Sequence, residues 1–429
     1  MILAGSYSID ITPIGSVDLN GYIRRFGKSK GIHDPLLANF LYVESNQNKV
    51  LLVSLDILTI SLETSNYLRD EISKLLDMDR EAIILAAIHT HSAVGAPYLR
   101  NVGSEDKNWL KDFKKKIIDG SKIAFEKRKE SELLSYYAFS SVGTNRRNPM
   151  RGIDPHAPFL VVKQDSEIIA WLVNYNCHAV CLTESNLMIS ADYVHYMRNY
   201  LYDNLKAQFP VLFFNGGSGD IDPKLRGSFE EAKAIGEGLA KELLLIYKVY
   251  DGKKVDEDIS YEEVKMTIPY TWQPTVEEAE NNLKEYTERL NNSKNEEEKK
   301  INTAFFLWAS EVVAKAVDNS LPSSLEVNVT LVKLGEILFI SIPLEIFSSI
   351  SLRLRKYFGK YSLFVVSYGN GYTGYLSDRA AHYEGGYEIE DWHKYAGILP
   401  KADNSEDIFF ECIRKIKTIK ESNNGKFGN

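Results

Sequence analysis

The chain has 429 residues, which at about 150 residues per domain allows two or three domains. A chain of this length can bury a hydrophobic core large enough to be stable without disulfide bonds. Its 51 Lys and Arg against 59 Asp and Glu give a net charge of −8, which argues against sequence-independent nucleic-acid binding, since that requires a basic surface. Hydrophobic residues make up 44% and charged residues 26% of the chain, the balance of an ordinary globular protein.

Cysteine spacing and the lengths of apolar runs bear on the cellular compartment. Cys177, Cys181 and Cys412 cannot build a disulfide framework, and their spacing matches no zinc finger. The first residues carry no basic segment, and their apolar run is too short for a signal peptide. The longest apolar stretches, such as Leu334–Leu344, fall far short of the ~20 residues of a membrane span. We therefore expect a cytoplasmic protein without stable membrane insertion.

Two kinds of pattern predict the secondary structure. Turn-forming residues between two apolar runs indicate hairpins, and large apolar residues spaced i, i+4 indicate helices. In the first half of the chain they predict a hairpin of Leu37–Glu44 with Val50–Leu55, a strand over Ile83–Ile88, a helix over Asp106–Lys127 and a hairpin of Phe159–Lys163 with Ile168–Tyr175. In the second half they predict a helix over Tyr193–Leu205, a strand over Val211–Phe214, a helix from a Ser228 cap to Tyr247, a hairpin of Leu325–Leu334 with Ile337–Ile342 and a strand over Leu363–Tyr368.

Hairpins mixed with crossover helices predict a mixed α+β fold. The chain contains no low-complexity linker, so we expect one domain over residues 1–421, followed by a disordered tail at 422–429. A charged segment at about 275–318 is predicted as a helical insertion of two helices. We interpret its charge run as a solvated face and not as a binding element.

Chemistry-bearing residues collect at predicted strand ends. The segment Ile88–Ser92 contains His89 and His91, which share a face of an extended chain because alternate residues point the same way. His178 and Glu345 each follow another predicted strand. Each residue alone is compatible with a structural role. Together, two histidines and a carboxylate are the ligand set of a catalytic zinc that keeps one position open for water.

A glycine-rich loop over Asn215–Pro223 follows the predicted strand Val211–Phe214. Its glycines permit close approach of the backbone to a ligand, but it lacks the Lys-Ser/Thr pair of a P-loop. We predict Asp222 as a general base, because an ordinary carboxylate can accept a proton from water whose pKa a metal has lowered towards ~7. The alternative is that Asp222 only caps its own turn.

Six motifs occur in the order and approximate spacing of the neutral/alkaline, non-lysosomal ceramidase family, and the chain resembles that family. They are His89-Thr-His-Ser92, Asn145-Arg146, His178 with Ile189–Asp192 downstream, Gly219–Pro223, Pro343-Leu-Glu345 and Tyr372-Thr-Gly-Tyr375.

The resemblance implies a fold and a set of roles. The fold would be that of the family's catalytic domain, with two mostly antiparallel or mixed β-sheets flanked by helices, in a zinc-dependent amidase. By correspondence of motifs it implies that the zinc ligands are His89, His178, Glu345 and Tyr375. It places His91 and Arg146 against the substrate. Asp222 stands where the family has Ser, and a carboxylate cannot replace a hydroxyl donor, so the resemblance implies metal-dependent hydrolysis but not ceramide as the substrate.

The predicted function is hydrolysis of an amide bond in a small or amphiphilic N-acyl compound by attack of a zinc-activated water. Two alternatives stay open at this point: a hydrolase of an ester, lactone or glycan linkage, and a non-catalytic descendant that binds a ligand in the cleft. A barrel-type amidohydrolase also carries two histidines at a strand end, but it requires eight βα units, which the predicted hairpins contradict.

Overall fold

A computed structural model of the chain describes residues 1–95 and 99–417. The strands in that part of the chain are β1 (Leu3–Asp10), β2 (Gly31–Ile32), β3 (Leu37–Ser45), β4 (Asn48–Leu55), β5 (Ile83–Ala87), β6 (Lys129–Glu130), β7 (Glu132–Phe139), β8 (Gly143–Asn145), β9 (His156–Gln164), β10 (Glu167–Tyr175), β11 (Met188–Ile189), β12 (Val211–Asn215), β13 (Ile221–Pro223), β14 (Lys253–Lys254), β15 (Ile259–Pro269), β16 (Ser324–Leu334), β17 (Ile337–Ser341), β18 (Glu345–Ile346), β19 (Ser362–Val366) and β20 (Tyr375–Leu376).

The α-helices are α1 (Leu62–Leu76), α2 (Lys107–Glu126), α3 (Tyr193–Leu205), α4 (Phe229–Val249), α5 (Val276–Asn291), α6 (Glu296–Val317), α7 (Ser348–Tyr357), α8 (Arg379–Glu384), α9 (Tyr387–Glu390), α10 (Trp392–Ala396) and α11 (Ser405–Lys415). Short 3-10 helices span Arg80–Ala82 and Pro149–Arg151. Every strand and helix named from the sequence is present, with small shifts at its ends. The predicted cap is also confirmed, since the Ser228 side chain accepts a hydrogen bond from the Glu231 amide at the start of α4.

Within the described residues, three larger sheets form the body of the fold. Their strand orders are β5-β4-β3-β1-β6, β12-β10-β9-β7-β14 and β15-β16-β17-β19, and the pairs β2–β11, β8–β13 and β18–β20 stand apart from them. The mixed α+β class is confirmed, and the antiparallel hairpins exclude an eightfold βα barrel. There are three larger sheets where two were expected, because the β16–β17 hairpin pairs with β15 and β19 and builds a sheet of its own.

Each larger sheet contains one pair of parallel strands, and this arrangement positions the site. The pairs are β4–β5, β10–β12 and β17–β19. Buried polar side chains connect the sheets near these pairs: Ser54 Oγ donates to Phe213 O at 2.8 Å, and Asn174 Nδ2 donates to Val365 O at 2.7 Å. Residues that follow β5, β10, β17 and β19 therefore meet in one region.

Three sequence predictions concern the outer parts of the chain. Residues 275–318 do form two helices, α5 and α6, which pack against each other. Over residues 1–95 and 99–417, we find no helix with the length and hydrophobicity needed to cross a membrane. The predicted tail at 422–429 lies outside the described residues, as do the last residues of the predicted single domain.

Candidate metal centre

His89 comes directly after β5 and has left-handed backbone geometry, with φ 64°. Its amide donates to Ile57 O at 3.1 Å, and its ring Nδ1 lies 2.8 Å from Leu58 O. Positive φ is uncommon outside glycine and persists only where surrounding contacts impose it. The bond at Nδ1 leaves Nε2 without a proton and directs it towards the interior of the site.

His178 follows β10 and has the same hydrogen-bonding arrangement. Its amide donates to Ile221 O at 3.0 Å, and its Nδ1 lies 3.1 Å from the same carbonyl oxygen. Its Nε2 is 3.1 Å from Glu345 Oε2. A ring whose second nitrogen is bonded to a main-chain carbonyl is typical of metal-ligating histidines, because that bond sets the tautomer and the orientation of the ligand.

Glu345 completes a group of three buried ligands with His89 and His178, whose ligand atoms all lie within 4.8 Å of one another. Its Oε1 is 4.0 Å from His89 Nε2. Burial by itself would raise the pKa of Glu345, but the two histidines and the Tyr372 hydroxyl outweigh it and lower the pKa to about 2. Burial lowers the pKa of His89 to about 3. The group thus holds a carboxylate and a neutral imidazole, the states in which these side chains bind a metal.

The distances in this group fit a divalent metal. Four ligands at about 2.0–2.2 Å around a tetrahedral zinc lie roughly 3.3 Å from one another. The distances of Glu345 from His178 and His89, 3.1 and 4.0 Å, bracket that value. Two imidazoles and one carboxylate are also a ligand set found in zinc hydrolases.

Three tyrosines lie around this group, and their hydroxyls make different contacts. The Tyr372 hydroxyl donates to Glu345 Oε1. The Tyr368 hydroxyl donates to Glu345 Oε2 at 3.1 Å and lies 3.3 Å from His178 Nε2. Tyr375, the predicted fourth ligand, pairs with Glu345 through the main chain of β18 and β20, and its hydroxyl accepts a hydrogen bond from Arg146 Nη2 at 3.1 Å. The hydroxyls at the carboxylate are therefore those of Tyr372 and Tyr368.

Sequence analysis did not single out Tyr368. It lies just beyond β19, has φ 56° and stacks on the His89 ring with 4.0 Å between ring centres. Its position after a buried strand is the same signal that identified His89 and His178. That signal is weak for a tyrosine, because a tyrosine side chain is more often a packing residue than a metal ligand.

His91 lies beside the group of three. Its Nε2 is 3.2 Å from His89 Nε2. Its Nδ1 packs against Gly21, where an added Cβ would lie only 2.6 Å from that nitrogen and where φ is 112°, so this close approach requires glycine. Burial, with the nearby His89, lowers the pKa of His91 well below its usual range. The atom that His91 presents to the centre is therefore a neutral Nε2.

Arg146 is held on several sides near the centre. Its Nη2 donates to Gly219 O at 2.8 Å, and its Nε donates to Glu388 Oε1 at 3.0 Å. Its Nη1 lies 3.4 Å from Asp222 Oδ1, and the other oxygen of Asp222 accepts from Arg226. Asp222, which the sequence predicted as a base, thus has an arginine at each of its two carboxylate oxygens. Its contact with the metal centre is indirect, by way of Arg146.

A cavity of about 470 Å³ opens onto the centre. The charge-rich insertion contributes two residues to this cavity, because Ile301 and Phe305 of α6 line its wall. The charged residues Glu296–Glu298 form the first turn of the same helix. The charge run itself does not line the cavity; the apolar residues of the same helix do. The remaining wall is mixed. Its aliphatic and aromatic residues include Leu58, Leu99, Val102, Tyr372, Tyr375, Tyr387, Trp392 and Tyr395, and its charged residues include Arg24, Arg146, Glu184 and Asp391.

Comparison with known proteins identifies the fold. No family model matches the sequence, and no curated protein matches it either. The chain is similar in structure to the neutral ceramidase from Pseudomonas aeruginosa, with a TM-score of 0.74 and 17% identity, covering 96% of this chain and 73% of that chain. A structure described as a ceramidase complexed with C2 has a TM-score of 0.75 and 15% identity, covering 96% of this chain and 74% of that one. The predicted resemblance to ceramidases is thus confirmed at the level of the fold.

Proposed function

We propose that this protein is a zinc-dependent hydrolase that cleaves the amide bond of an N-acyl compound with an apolar chain. The observation that carries the proposal is the buried group of His89, His178 and Glu345 next to a cavity whose wall combines aliphatic and aromatic residues with charged ones. The fold shared with ceramidases supports amide hydrolysis as the reaction.

The metal would be held by Nε2 of His89, Nε2 of His178 and the carboxylate of Glu345. We propose Tyr372 in place of Tyr375 as the fourth protein ligand, because its hydroxyl contacts the carboxylate and its side chain lines the cavity. A bound zinc ion would supply Lewis-acid chemistry, lowering the pKa of water and polarising the amide carbonyl.

The chain itself supplies proton transfer and charge stabilisation. We assign proton transfer to His91, which lines the cavity with its Nε2 3.2 Å from His89 Nε2 and would accept a proton and return it to the departing amine. The guanidinium of Arg146, held by Gly219 O and Glu388, is placed to stabilise negative charge on the carbonyl oxygen. Asp222 acts in this scheme as a positioning residue that orients Arg146, and not as the base.

The cavity indicates the substrate class. Its volume of about 470 Å³ lies within the range of about 300–1,000 Å³ typical of small-molecule sites, so the substrate is a small or amphiphilic molecule and not a macromolecule. Its aromatic and aliphatic wall is suited to an acyl chain, whose burial contributes about 25 cal/mol per Å² of apolar surface.

Hydrolysis of matched substrates tests the function. N-acyl amides, the corresponding esters, lactones and glycosides, and ceramide itself are incubated with the protein before and after metal removal. We expect cleavage of N-acyl amides, loss of that activity on chelation and its recovery on adding Zn²⁺. Cleavage of esters, lactones or glycosides without amides would replace the proposed reaction. Saturable binding of the amides with no turnover would identify a non-catalytic ligand-binding protein.

The tyrosine assignment predicts different effects for two neighbouring substitutions. Tyr372→Phe removes a hydroxyl from the Glu345 carboxylate and should weaken Zn²⁺ binding by at least about 10-fold. Tyr375→Phe removes a hydroxyl that contacts Arg146 and should leave Zn²⁺ affinity near that of the wild type. Competition of each purified variant with a zinc-binding dye measures the affinity. The reverse order of effects would restore Tyr375 as the ligand.

The role of Asp222 is tested by its pH dependence. Asp222→Asn weakens the ion pairs with Arg146 and Arg226, so we expect turnover to fall about 10–100-fold through misplacement of Arg146, with zinc content unchanged. The acidic limb of the pH–rate profile should remain, because another group accepts the proton. The control is Asp165→Asn in the exposed turn between β9 and β10. Disappearance of the acidic limb in Asp222→Asn alone would make Asp222 the base.

A further inference from the structure

A second group of possible ligands lies at the surface and is formed by His33, Asp34 and His195. Their ligand atoms all lie within 4.8 Å of one another. His33 Nδ1 is 2.8 Å from Asp34 Oδ1, and His195 Nδ1 is 3.7 Å from Asp34 Oδ2. The two histidines come from separate elements, His33 from the loop after β2 and His195 from the first turn of α3. Each directs its Nδ1 at the carboxylate of Asp34.

The opposite sides of both rings are already held. His33 Nε2 lies 3.3 Å from the Tyr196 hydroxyl, and the His33 ring stacks on Phe229 with 3.8 Å between ring centres. His195 Nε2 lies 2.9 Å from Asn199 Nδ2. The outer nitrogen of each ring thus has a polar neighbour that fixes the orientation of the ring.

Asp34 is buried, and its position is fixed by two further hydrogen bonds. Its Oδ1 accepts from Ser190 Oγ at 2.6 Å, and its Oδ2 accepts from the Ala191 amide at 2.8 Å. The side chains of His33 and His195 are 30% and 23% exposed, which leaves the group open to an ion and to water.

We propose that His33, Asp34 and His195 bind a second zinc ion, separate from the centre at His89 and His178. In a tetrahedral site with bonds of about 2.0–2.2 Å, the ligand atoms lie roughly 3.3 Å apart. The two ring nitrogens lie 2.8 and 3.7 Å from the two oxygens of Asp34, and the three ligand atoms lie within 4.8 Å of one another, so the group can close around one ion. Two imidazoles with one carboxylate favour zinc over calcium or magnesium, which prefer all-oxygen sites.

Metal binding at Nδ1 requires the proton of each ring to reside on Nε2. The Tyr196 hydroxyl is an oxygen acceptor next to His33 Nε2, whereas Asn199 presents Nδ2 to His195 Nε2 and must rotate its amide to offer an oxygen there. Water completes the coordination on the exposed side.

The position of the group suggests a structural role. The Asp34 carboxylate accepts a hydrogen bond from the Ser190 hydroxyl. The Ser190 carbonyl in turn accepts one, at 2.9 Å, from the hydroxyl of Thr90, the residue between His89 and His91 in the chain. An ion at Asp34 would therefore connect the β2 loop and α3 to the segment of Ser190, which contacts the loop that carries His89 and His91. We expect it to stabilise the fold and not to take part in the reaction.

Zinc stoichiometry in untagged, metal-free protein tests the proposal. Wild-type chain should bind two equivalents of Zn²⁺, and His33→Ala and His195→Ala should each bind one. His156→Ala is the matched control, because His156 Nδ1 also lies 2.6 Å from a carboxylate, Asp154 Oδ1, and its side chain is 24% exposed. That histidine belongs to no three-ligand group in the described residues, so its loss should leave two equivalents.

The same titration in a His178→Ala background separates the two sites. That variant should bind one equivalent at the surface group, and Zn²⁺ should raise its melting temperature. Adding His195→Ala should remove both the bound equivalent and the shift, while circular dichroism shows that the fold is retained. Equal zinc binding with and without His195→Ala would overturn the surface site and leave the proposal for the buried centre untouched.

Discussion

His178→Ala is expected to empty the buried centre and to reduce hydrolysis to background. The substitution removes one nitrogen ligand and leaves Glu345 Oε2 facing a space where Nε2 stood 3.1 Å away. Zinc sites with four protein ligands bind with about 10–16 kcal/mol in total, so one ligand corresponds to a loss of about 10²-fold or more in affinity. His89→Ala should behave in the same way. Metal analysis and turnover of an N-acyl amide measure the two effects.

The matched control for both variants is again His156→Ala. It removes a partly exposed histidine whose ring pairs with Asp154 and not with a residue of the buried group. It should retain metal at the buried group and normal turnover. Full occupancy of the buried centre in purified His89→Ala and His178→Ala would contradict the ligand assignment.

His91→Ala is expected to keep zinc at the buried centre and to lower turnover by about 10²–10⁴-fold, the usual effect of losing a general acid or base. The ring lies beside the three ligands, with Nε2 3.2 Å from His89 Nε2, and it also forms part of the cavity wall. Removing it should therefore affect proton transfer more than metal retention. Pre-steady-state turnover on zinc-loaded protein measures the change.

The zinc content of the same His91→Ala preparation decides between two roles. An unchanged content with low turnover supports the acid–base role. Loss of zinc from the buried centre would make His91 a ligand, in which case the roles of His89 and His91 are reversed or two ions share the site.

Most strands were predictable because their apolar residues alternate or form short runs bounded by turn residues. β15 was not, since Glu262, Glu263 and Lys265 interrupt any apolar run. Its structure depends on pairing along its whole length with β16 and on a buried ion pair between Glu263 and Arg69 of α1. Such a strand is stabilised by partners remote in the chain, which local sequence does not specify.

The helical insertion shows the same limit. Its charged residues indicated helices with a solvated face, and that face is present. The inward face of α6 carries only a few apolar residues, including Ile301 and Phe305, and their contact with the cavity depends on where the helix packs. Periodicity predicts that a helix has an apolar face, but not what that face covers.

Sequence alone determined which residues to consider for the centre, because His89, His178 and Glu345 are metal-binding types that each directly follow a buried strand. Tertiary structure decided how they are used. Parallel pairs in three sheets bring these strand ends into one region, and the ligand atoms of the three side chains then lie within 4.8 Å of one another, a proximity that no spacing along the chain encodes. It also placed the hydroxyl of Tyr372, and not that of Tyr375, on the carboxylate of Glu345, because the main-chain pairing of β18 with β20 leaves the Tyr375 hydroxyl to Arg146.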